Sequence, residues 1–170
     1  SPLLLGAKAT ATANASDAGS GVVSSSCGAV DTTRLGTRTV QCTATDAVGH
    51  TATVSLPYTV GVKVVWVNKP ASIKAKAGTQ LLLPVGQLLG ANGKPIPDSV
   101  SRCLPSCSVT FTLGTQKPVC AVFVITNGLF AAGVTSKSSL TAGTTVPLVA
   151  NVTVSSTVLG SAAANLSVKK

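Results

Sequence analysis

The stretch GTRTVQCTATDAVGHTATVSLPYTV, Gly36–Val60, decides the fold because it encodes two strands and the turn between them. Apolar and polar residues alternate over Val40–Ala44 and again over Ala52–Val60. A period of two places the apolar residues on one face of a sheet, so this face is predicted to be buried. Between the two runs, Asp46–His50 contains Gly49, which can adopt a positive φ. The stretch therefore predicts a β-hairpin with a tight turn.

Similar patterns recur along the rest of the chain and predict short strands separated by turns. Turns are predicted at Gly78, at Gly90–Lys94 and at the hairpin signal Asn127-Gly128. The run Cys120–Thr126 is nearly all apolar, which predicts a central strand. No helix longer than one turn is expected, and the fold class is all-β. The remaining strands are predicted at Ala7–Ser16, Val22–Cys27, Ile73–Ala77, Gln80–Val85, Val109–Leu113, Leu148–Val154 and Ala164–Val168.

The composition is typical of a β-rich protein with a hydroxyl-covered surface of low charge. Only 10% of the residues are charged, compared with about 25% in ordinary soluble proteins, whereas 45% are apolar. The net charge is +9, but the basic residues are scattered and lack nearby aromatics, which argues against nucleic-acid binding. Attraction to glycan or to an anionic cell-surface polysaccharide fits this charge better. No apolar run approaches the roughly 18 residues that a membrane-spanning helix needs.

The sequence offers few residues for catalysis or for binding a cofactor. His50 is the only histidine and four aspartates are the only acids, so neither a hydrolase triad nor a pair of catalytic carboxylates is indicated. Asp17 and Asp46 precede glycines in loop-like segments that resemble calcium loops, but we expect each to bond the amides of its own turn. We therefore expect a protein that is not an enzyme, with no metal and no cofactor.

The five cysteines favour an oxidising compartment. Cys107 and Cys120 bracket one predicted strand, which favours a disulfide between them, and Cys103–Cys120 is the alternative pair. The odd count leaves Cys103 free or bonded to another chain. These three thiols lack a histidine in the same region, so they do not match the four close ligands that zinc usually requires.

The hairpin also resembles the closing segment of hyalin-repeat and related bacterial immunoglobulin-like modules, whose signature reads much like TCTATDAAGNTA. Those modules are mostly extracellular spacers and adhesion units. Farther along, KAGTQLLLPVGQLLGANGKPI (residues 76–96) is similar to a bacterial domain that often follows such modules, although Val85-Gly86-Gln87 replaces its usual Val-Lys-Phe. The resemblance implies two tandem immunoglobulin-like β-sandwiches, residues 1–62 and 63–170. It also implies a disulfide between Cys27 and Cys42.

Modules of this type usually open with a strand, and this chain begins roughly where their second strand begins. The first sandwich is therefore expected to expose an unpaired edge and an apolar groove. Either the chain is a piece of a longer protein, or a neighbouring copy supplies the strand, as in donor-strand complementation. In the second case, the inter-subunit strand is expected at the tip formed by Ser1, Pro2, Leu3, Leu4 and Leu5.

These observations lead to two functional hypotheses. The first is an extracellular structural protein, the subunit of a head-to-tail surface filament whose partners are copies of itself. The alternative is a spacer or a carbohydrate- or surface-binding accessory module of a larger secreted protein, which an exposed platform of Trp66 and Tyr58 would favour. Asn14, Asn151 and Asn165 lie in glycosylation sequons on the polar sides of predicted strands, so the chain is expected to be a glycoprotein.

Overall fold

The computed structural model describes residues 1–76, 80–81, 84–120, 122–125, 127–135 and 139–170, and these form an all-β fold with one single-turn helix. The predicted turn at Gly78 lies outside the described residues, as do parts of the strands predicted at Ile73–Ala77, Gln80–Val85 and Cys120–Thr126. The elements are β1 (Leu3–Leu4), β2 (Val22–Cys27), β3 (Gly36–Asp46), β4 (Thr51–Gly61), β5 (Lys63–Asn68), β6 (Ser72–Lys74), β7 (Gln80–Leu81), β8 (Val85–Leu89), α1 (Asp98–Ser101), β9 (Val109–Leu113), β10 (Val119–Cys120), β11 (Val122–Ile125), β12 (Leu129–Ala131), β13 (Val134–Thr135), β14 (Thr145–Val154) and β15 (Thr157–Lys169).

The predicted hairpin is confirmed as the centre of a four-stranded sheet in the order β1-β4-β3-β2. Strands β3 and β4 pair antiparallel from Gly36 opposite Val60 to Thr45 opposite Thr51. In the turn, Gly49 adopts a φ of +93°, a conformation that glycine reaches without a steric penalty. Strand β2 borders β3 along one edge, whereas the two residues of β1 pair in parallel with only the last two residues of β4.

The predicted strand Ala7–Ser16 pairs with none of the described strands. The prediction that this segment belongs to a sheet is therefore wrong. Its side chains alternate between half-buried and exposed from Ala7 to Ala13, as in an extended chain. The backbone groups of residues 8–16 make no hydrogen bond to any other described backbone group. The segment lies along the apolar face of β3 and β4 as an extended chain, and no other described strand pairs with it. The first region, residues 1–61, is thus one sheet with a partial cover rather than a complete sandwich, and residues 63–170 form the second region.

The second region is a β-sandwich of a five-stranded sheet, β10-β9-β14-β15-β6, and a four-stranded sheet, β11-β12-β8-β5. Phe111 from the first sheet meets Phe130 from the second with ring centroids 5.6 Å apart, and both side chains are fully buried. Asn127 and Gly128 form the predicted turn, both with positive φ. Strand β11 lies at an edge of its sheet among the described strands, not at the centre as predicted. An apolar run indicates burial but does not fix the position of a strand in its sheet.

The two regions join without a flexible segment. Only Val62 separates β4 from β5, and its N–H donates to the carbonyl oxygen of Leu159 in β15 at 2.9 Å. Gly61 and Gly160 allow this close approach, because a Cβ at either position would lie closer than 3.0 Å to the opposing backbone oxygen. Leu5 adds a second connection, since its carbonyl oxygen accepts from Ala91 N at 2.9 Å. Core residues of both regions form one contiguous cluster.

Candidate functional site, an open strand edge

The apolar face of the hairpin is only partly buried. Val40 and Cys42 on β3 are buried, but Val54 and Leu56 opposite them on β4 are 53% and 37% exposed. The prediction of a buried face is therefore wrong for this part of β4. The segment Ala7–Ser16 is the part of the chain that crosses this face, and its alanines leave cavities of about 170 and 190 Å³ above the sheet. The small side chains fill too little volume to exclude solvent from the strand beneath them.

The backbone of β4 presents an unpaired edge. Gly28 N donates to Gln41 O at 2.8 Å. The backbone N–H and C=O groups of odd-numbered residues of β3 therefore point toward β2, and those of even-numbered residues point toward β4. The even-numbered residues of β4 therefore bond to β3, and its odd-numbered residues point away from the sheet. Gly61 O fits this pattern, since it accepts from Leu5 N at 2.8 Å beyond β1. Over Thr51–Pro57, no other described strand covers the outward-facing groups.

Pro57 limits this edge. Its position is odd-numbered, so the missing N–H is one that would point outward, and proline costs β4 no hydrogen bond to β3. Prolines at such positions discourage uncontrolled strand addition. The edge therefore offers outward N–H groups at Thr51, Thr53 and Ser55, a window of five residues. The sequence contained a signal for this edge, because a proline inside an alternating run indicates an edge strand.

The structure places the predicted inter-subunit tip, Ser1, Pro2, Leu3, Leu4 and Leu5, against its own chain. Leu3 and Leu4 pair with Val60 and Gly61, and Leu5 is only 8% exposed. Leu5 belongs to the buried core cluster and Leu3 and Leu4 are half-buried, so apolar contact holds this segment against its own chain. In this structure the segment pairs within its own chain, and its role as an inter-subunit strand stays a prediction.

Both predicted disulfides form. Cys27–Cys42 joins directly opposed residues of β2 and β3, and Cys107–Cys120 connects β10 to the segment before β9. The alternative pair Cys103–Cys120 is wrong, because Cys120 already bonds to Cys107. Cys103 is exposed and free of a disulfide, and its thiol donates to Ser99 O at 3.1 Å. A disulfide that closes a loop of this size lowers the conformational entropy of the unfolded chain, which stabilises the folded state by about 3 kcal/mol.

The two loop aspartates bond the amides of their own turns, as predicted. Asp17 accepts from Gly21 N at 2.7 Å, and Asp46 accepts from His50 N at 2.8 Å. Hydrogen bonds from Ser20 and the loop amides hold the pKa of Asp17 below its usual value. For Asp46, burial raises the pKa, but the hydrogen bonds, led by the one from His50 N, outweigh it and lower the pKa overall. Within the described part of the chain, no three histidine, cysteine or acidic residues group as a metal site.

These lowered pKa values predict a loss of stability in acid. The pKa of Asp31 is also lowered, chiefly by its hydrogen bonds from Thr33. A carboxylate whose folded pKa lies below the unfolded value, about 3.9, stabilises the fold above that pH and loses the contribution as the pH falls through the folded pKa. We expect the melting temperature to stay level between about pH 7 and 5 and to fall below about pH 4. Circular dichroism melts over this range measure it.

Asp46→Ala and Asp46→Asn separate titration from hydrogen bonding. Asp46→Ala removes the acceptor for Val48 N and His50 N, so it lowers the melting temperature at neutral pH and makes the decline in acid shallower. Asp46→Asn retains an acceptor oxygen but does not titrate, so it keeps more of the neutral-pH stability while losing the same part of the acid dependence. An acid decline unchanged in both variants would contradict the assignment.

The candidate aromatic platform does not form. The Trp66 ring stacks on Phe111 with centroids 5.8 Å apart, and its indole nitrogen is buried. The Tyr58 hydroxyl accepts from Asp31 N at 2.9 Å and donates to Asp31 O at 3.0 Å, which anchors the loop before β3. Both side chains serve packing and loop anchoring, so neither supports a flat carbohydrate-binding surface.

The three sequon asparagines differ in accessibility. Asn14 and Asn165 are exposed, whereas Asn151 is half-buried in β14 between Thr110 of β9 and Ser161 of β15. Glycosylation at any of them stays a prediction, and Asn14 and Asn165 are the more accessible positions. Comparing the intact mass of the protein with its sequence mass measures whether sugar is attached.

Comparison with protein-family models finds no match, and comparison with curated proteins finds no significant similarity. Among the described residues, no helix is long and apolar enough to cross a membrane. The features of the chain that bear on its function are the open edge of β4 and the two disulfides.

Proposed function

We propose that this chain is an extracellular structural protein that assembles by strand complementation between copies, as the subunit of a surface filament. The observation that carries this proposal is the unpaired edge of β4 over Thr51–Pro57, next to the exposed side chains of Val54 and Leu56. An added strand would bond the outward backbone groups and pack beside these two side chains, which lowers their exposure. About half of Val54 and a third of Leu56 are exposed, so burying the remainder would contribute at most that fraction of the roughly 1.5–3 kcal/mol for a fully buried side chain.

The chain itself contains a matching strand. The backbone groups of residues 8–16 have no described backbone partner, and alternate side chains of this segment are small. The segment is longer than the window Thr51–Ser55, so it could pair across the whole of that window in a neighbouring copy. We therefore place the donor at Ala7–Ser16 rather than at the leucines near the start of the chain. One copy thus presents both a donor and an acceptor, which permits head-to-tail growth.

The surface and the covalent bonds support an assembled, extracellular role. Only 10% of the residues are charged, so copies approach one another with few charged groups to desolvate. Two disulfides suit an oxidising compartment, because such bonds rarely persist in reducing ones. A net charge of +9 would resist association at low ionic strength, so assembly should strengthen with added salt.

Ser55→Pro tests the proposal at the edge. The Ser55 N–H points outward and the side chain is exposed, so proline removes a group that bonds only to an added strand. We expect the unmodified protein to form filaments in electron microscopy and to sediment as concentration-dependent oligomers. Ser55→Pro should sediment as a monomer with an unchanged circular dichroism spectrum.

Ser55→Thr is the matched control, because it retains the N–H and favours a strand; it should still assemble. An unmodified protein that stays monomeric over a wide range of concentration and salt, with its first region folded, would rule out self-assembly. The spacer hypothesis would then account for that result.

A further inference from the structure

A cleft of about 560 Å³ lies where the loop before β3 meets α1 and the residues that follow it. One wall comes from the loop before β3 and the start of that strand, and the other from α1 and the residues after it, with Val154 of β14 between them. The lining residues are Thr33, Arg34, Leu35, Arg38, Ser99, Val100, Cys103, Leu104, Pro105 and Val154. Leu35, Val100, Leu104 and Val154 are partly buried against the core and form an apolar floor. The volume is within the range of small-molecule sites, and an apolar floor with a few polar groups is the usual composition of such sites.

Among the described residues that line the cleft, the charged side chains are Arg34 and Arg38. Asp31 is the carboxylate beside them, with Oδ2 3.8 Å from Arg38 Nη1. Two guanidinium groups against one carboxylate leave one net positive charge. This excess of positive charge favours an anionic ligand in the cleft.

We propose that this cleft binds a small amphipathic monoanion, a carboxylate that carries an aliphatic chain. The carboxylate would accept charge-assisted hydrogen bonds from Arg34 and Arg38, which suit the fork geometry of guanidinium groups. The aliphatic chain would cover Leu35, Val100, Leu104 and Val154, which solvent otherwise reaches. The site is independent of the β4 edge, so it does not depend on the proposed assembly.

Octanoate is the probe, and Cys103 at the cleft wall is a built-in reporter, because its thiol is exposed and free. We expect saturable octanoate binding in calorimetry and slower reaction of Cys103 with a thiol reagent when octanoate is bound. Butyrate should bind more weakly, by about fourfold for each missing methylene that the cleft buries. Octanol, which has a similar chain but no charge, should bind at least about tenfold more weakly than octanoate.

Arg34→Gln tests the charge without disturbing the core, because Arg34 is exposed. It should weaken octanoate binding by about tenfold or more and leave octanol binding unchanged. Lys94→Gln removes an exposed positive charge that does not line the cleft, so its affinity for octanoate should match that of the unmodified protein. Absence of saturable binding, equal affinity for octanol and octanoate, or equal losses in the two variants would overturn the proposal.

Discussion

Phe111→Ala lowers the free energy of unfolding by about 3–5 kcal/mol, the range for removing a large aromatic side chain from a packed core. Phe111 on β9 is fully buried between the two sheets of the second region. It contacts Phe130 and Trp66, with centroids 5.6 and 5.8 Å away. Alanine would leave a cavity that neither ring can fill, because each is held by its own strand. The loss therefore has three parts: the lost burial of apolar atoms, the cost of the cavity, and the loss of two aromatic contacts.

Denaturant unfolding followed by tryptophan fluorescence measures this loss, because Trp66 reports directly on the altered contact. Val158→Ala is the control: its side chain is 53% exposed on β15, so its loss should stay below about 1 kcal/mol. A loss of similar size in both variants would show that the sandwich core is not centred on Phe111.

Gly160→Ala is expected to destabilise the protein by about 1–3 kcal/mol or more, the usual cost of forcing atoms into a packed site. The added Cβ would lie closer than 3.0 Å to the carbonyl oxygen of Val62 and at 3.1 Å from a methyl group of Val64. The first obstacle is backbone, so no rotamer change can relieve it. Separating the strands would instead break the bond from Val62 N to Leu159 O.

Thermal and denaturant melts of Gly160→Ala measure this cost, with Gly19→Ala as the matched control. A Cβ at Gly19 would meet only the carboxylate of Asp17 at 3.8 Å, an ordinary contact. Equal stability of the two variants would mean that β15 can move away from Val62 without loss, and that the joint between the regions is loose.

Much of the fold could be predicted because local patterns determine it. The hairpin of β3 and β4 was predictable from a strict period of two and a turn with glycine, and both are properties of neighbouring residues. The strands β14 and β15 followed from the same alternation, and Leu148 and Leu166 are fully buried as their pattern requires. The pairing of Cys107 with Cys120 was predictable because the two residues bracket one strand.

The structure differs from the predictions where the outcome depends on contacts between distant parts of the chain, which a local pattern does not specify. Ala7–Ser16 alternates like a strand, yet alternation does not say whether a partner strand exists beside it. The leucines at residues 3–5 were expected to reach a neighbouring copy, but Leu3 and Leu4 pair with β4 of their own chain and Leu5 packs into the core cluster. The face with Val54 stays exposed because the alanines opposite it are too small to cover it.

The candidate sites were less predictable than the fold. Pro57 carried a recognisable signal of an edge strand. The extent of the open edge, however, depends on where β1 pairs with β4, and that is determined by tertiary structure. The cleft with Arg34 and Arg38 had no signal at all, because its two walls are distant in sequence. Sequence periodicity and motifs do not predict which side chains come together only through folding.

The single-residue junction at Val62 has a mechanical consequence. Tension applied along β4 enters β5 directly, because the chain between them contains no loop that could straighten and lengthen. The hydrogen bond from Val62 to Leu159 passes part of the load sideways into β15, the longest strand in the described chain. Under a pull, the molecule should therefore behave as a stiff rod, whose first extension comes from rupture of strands rather than from bending between its two regions.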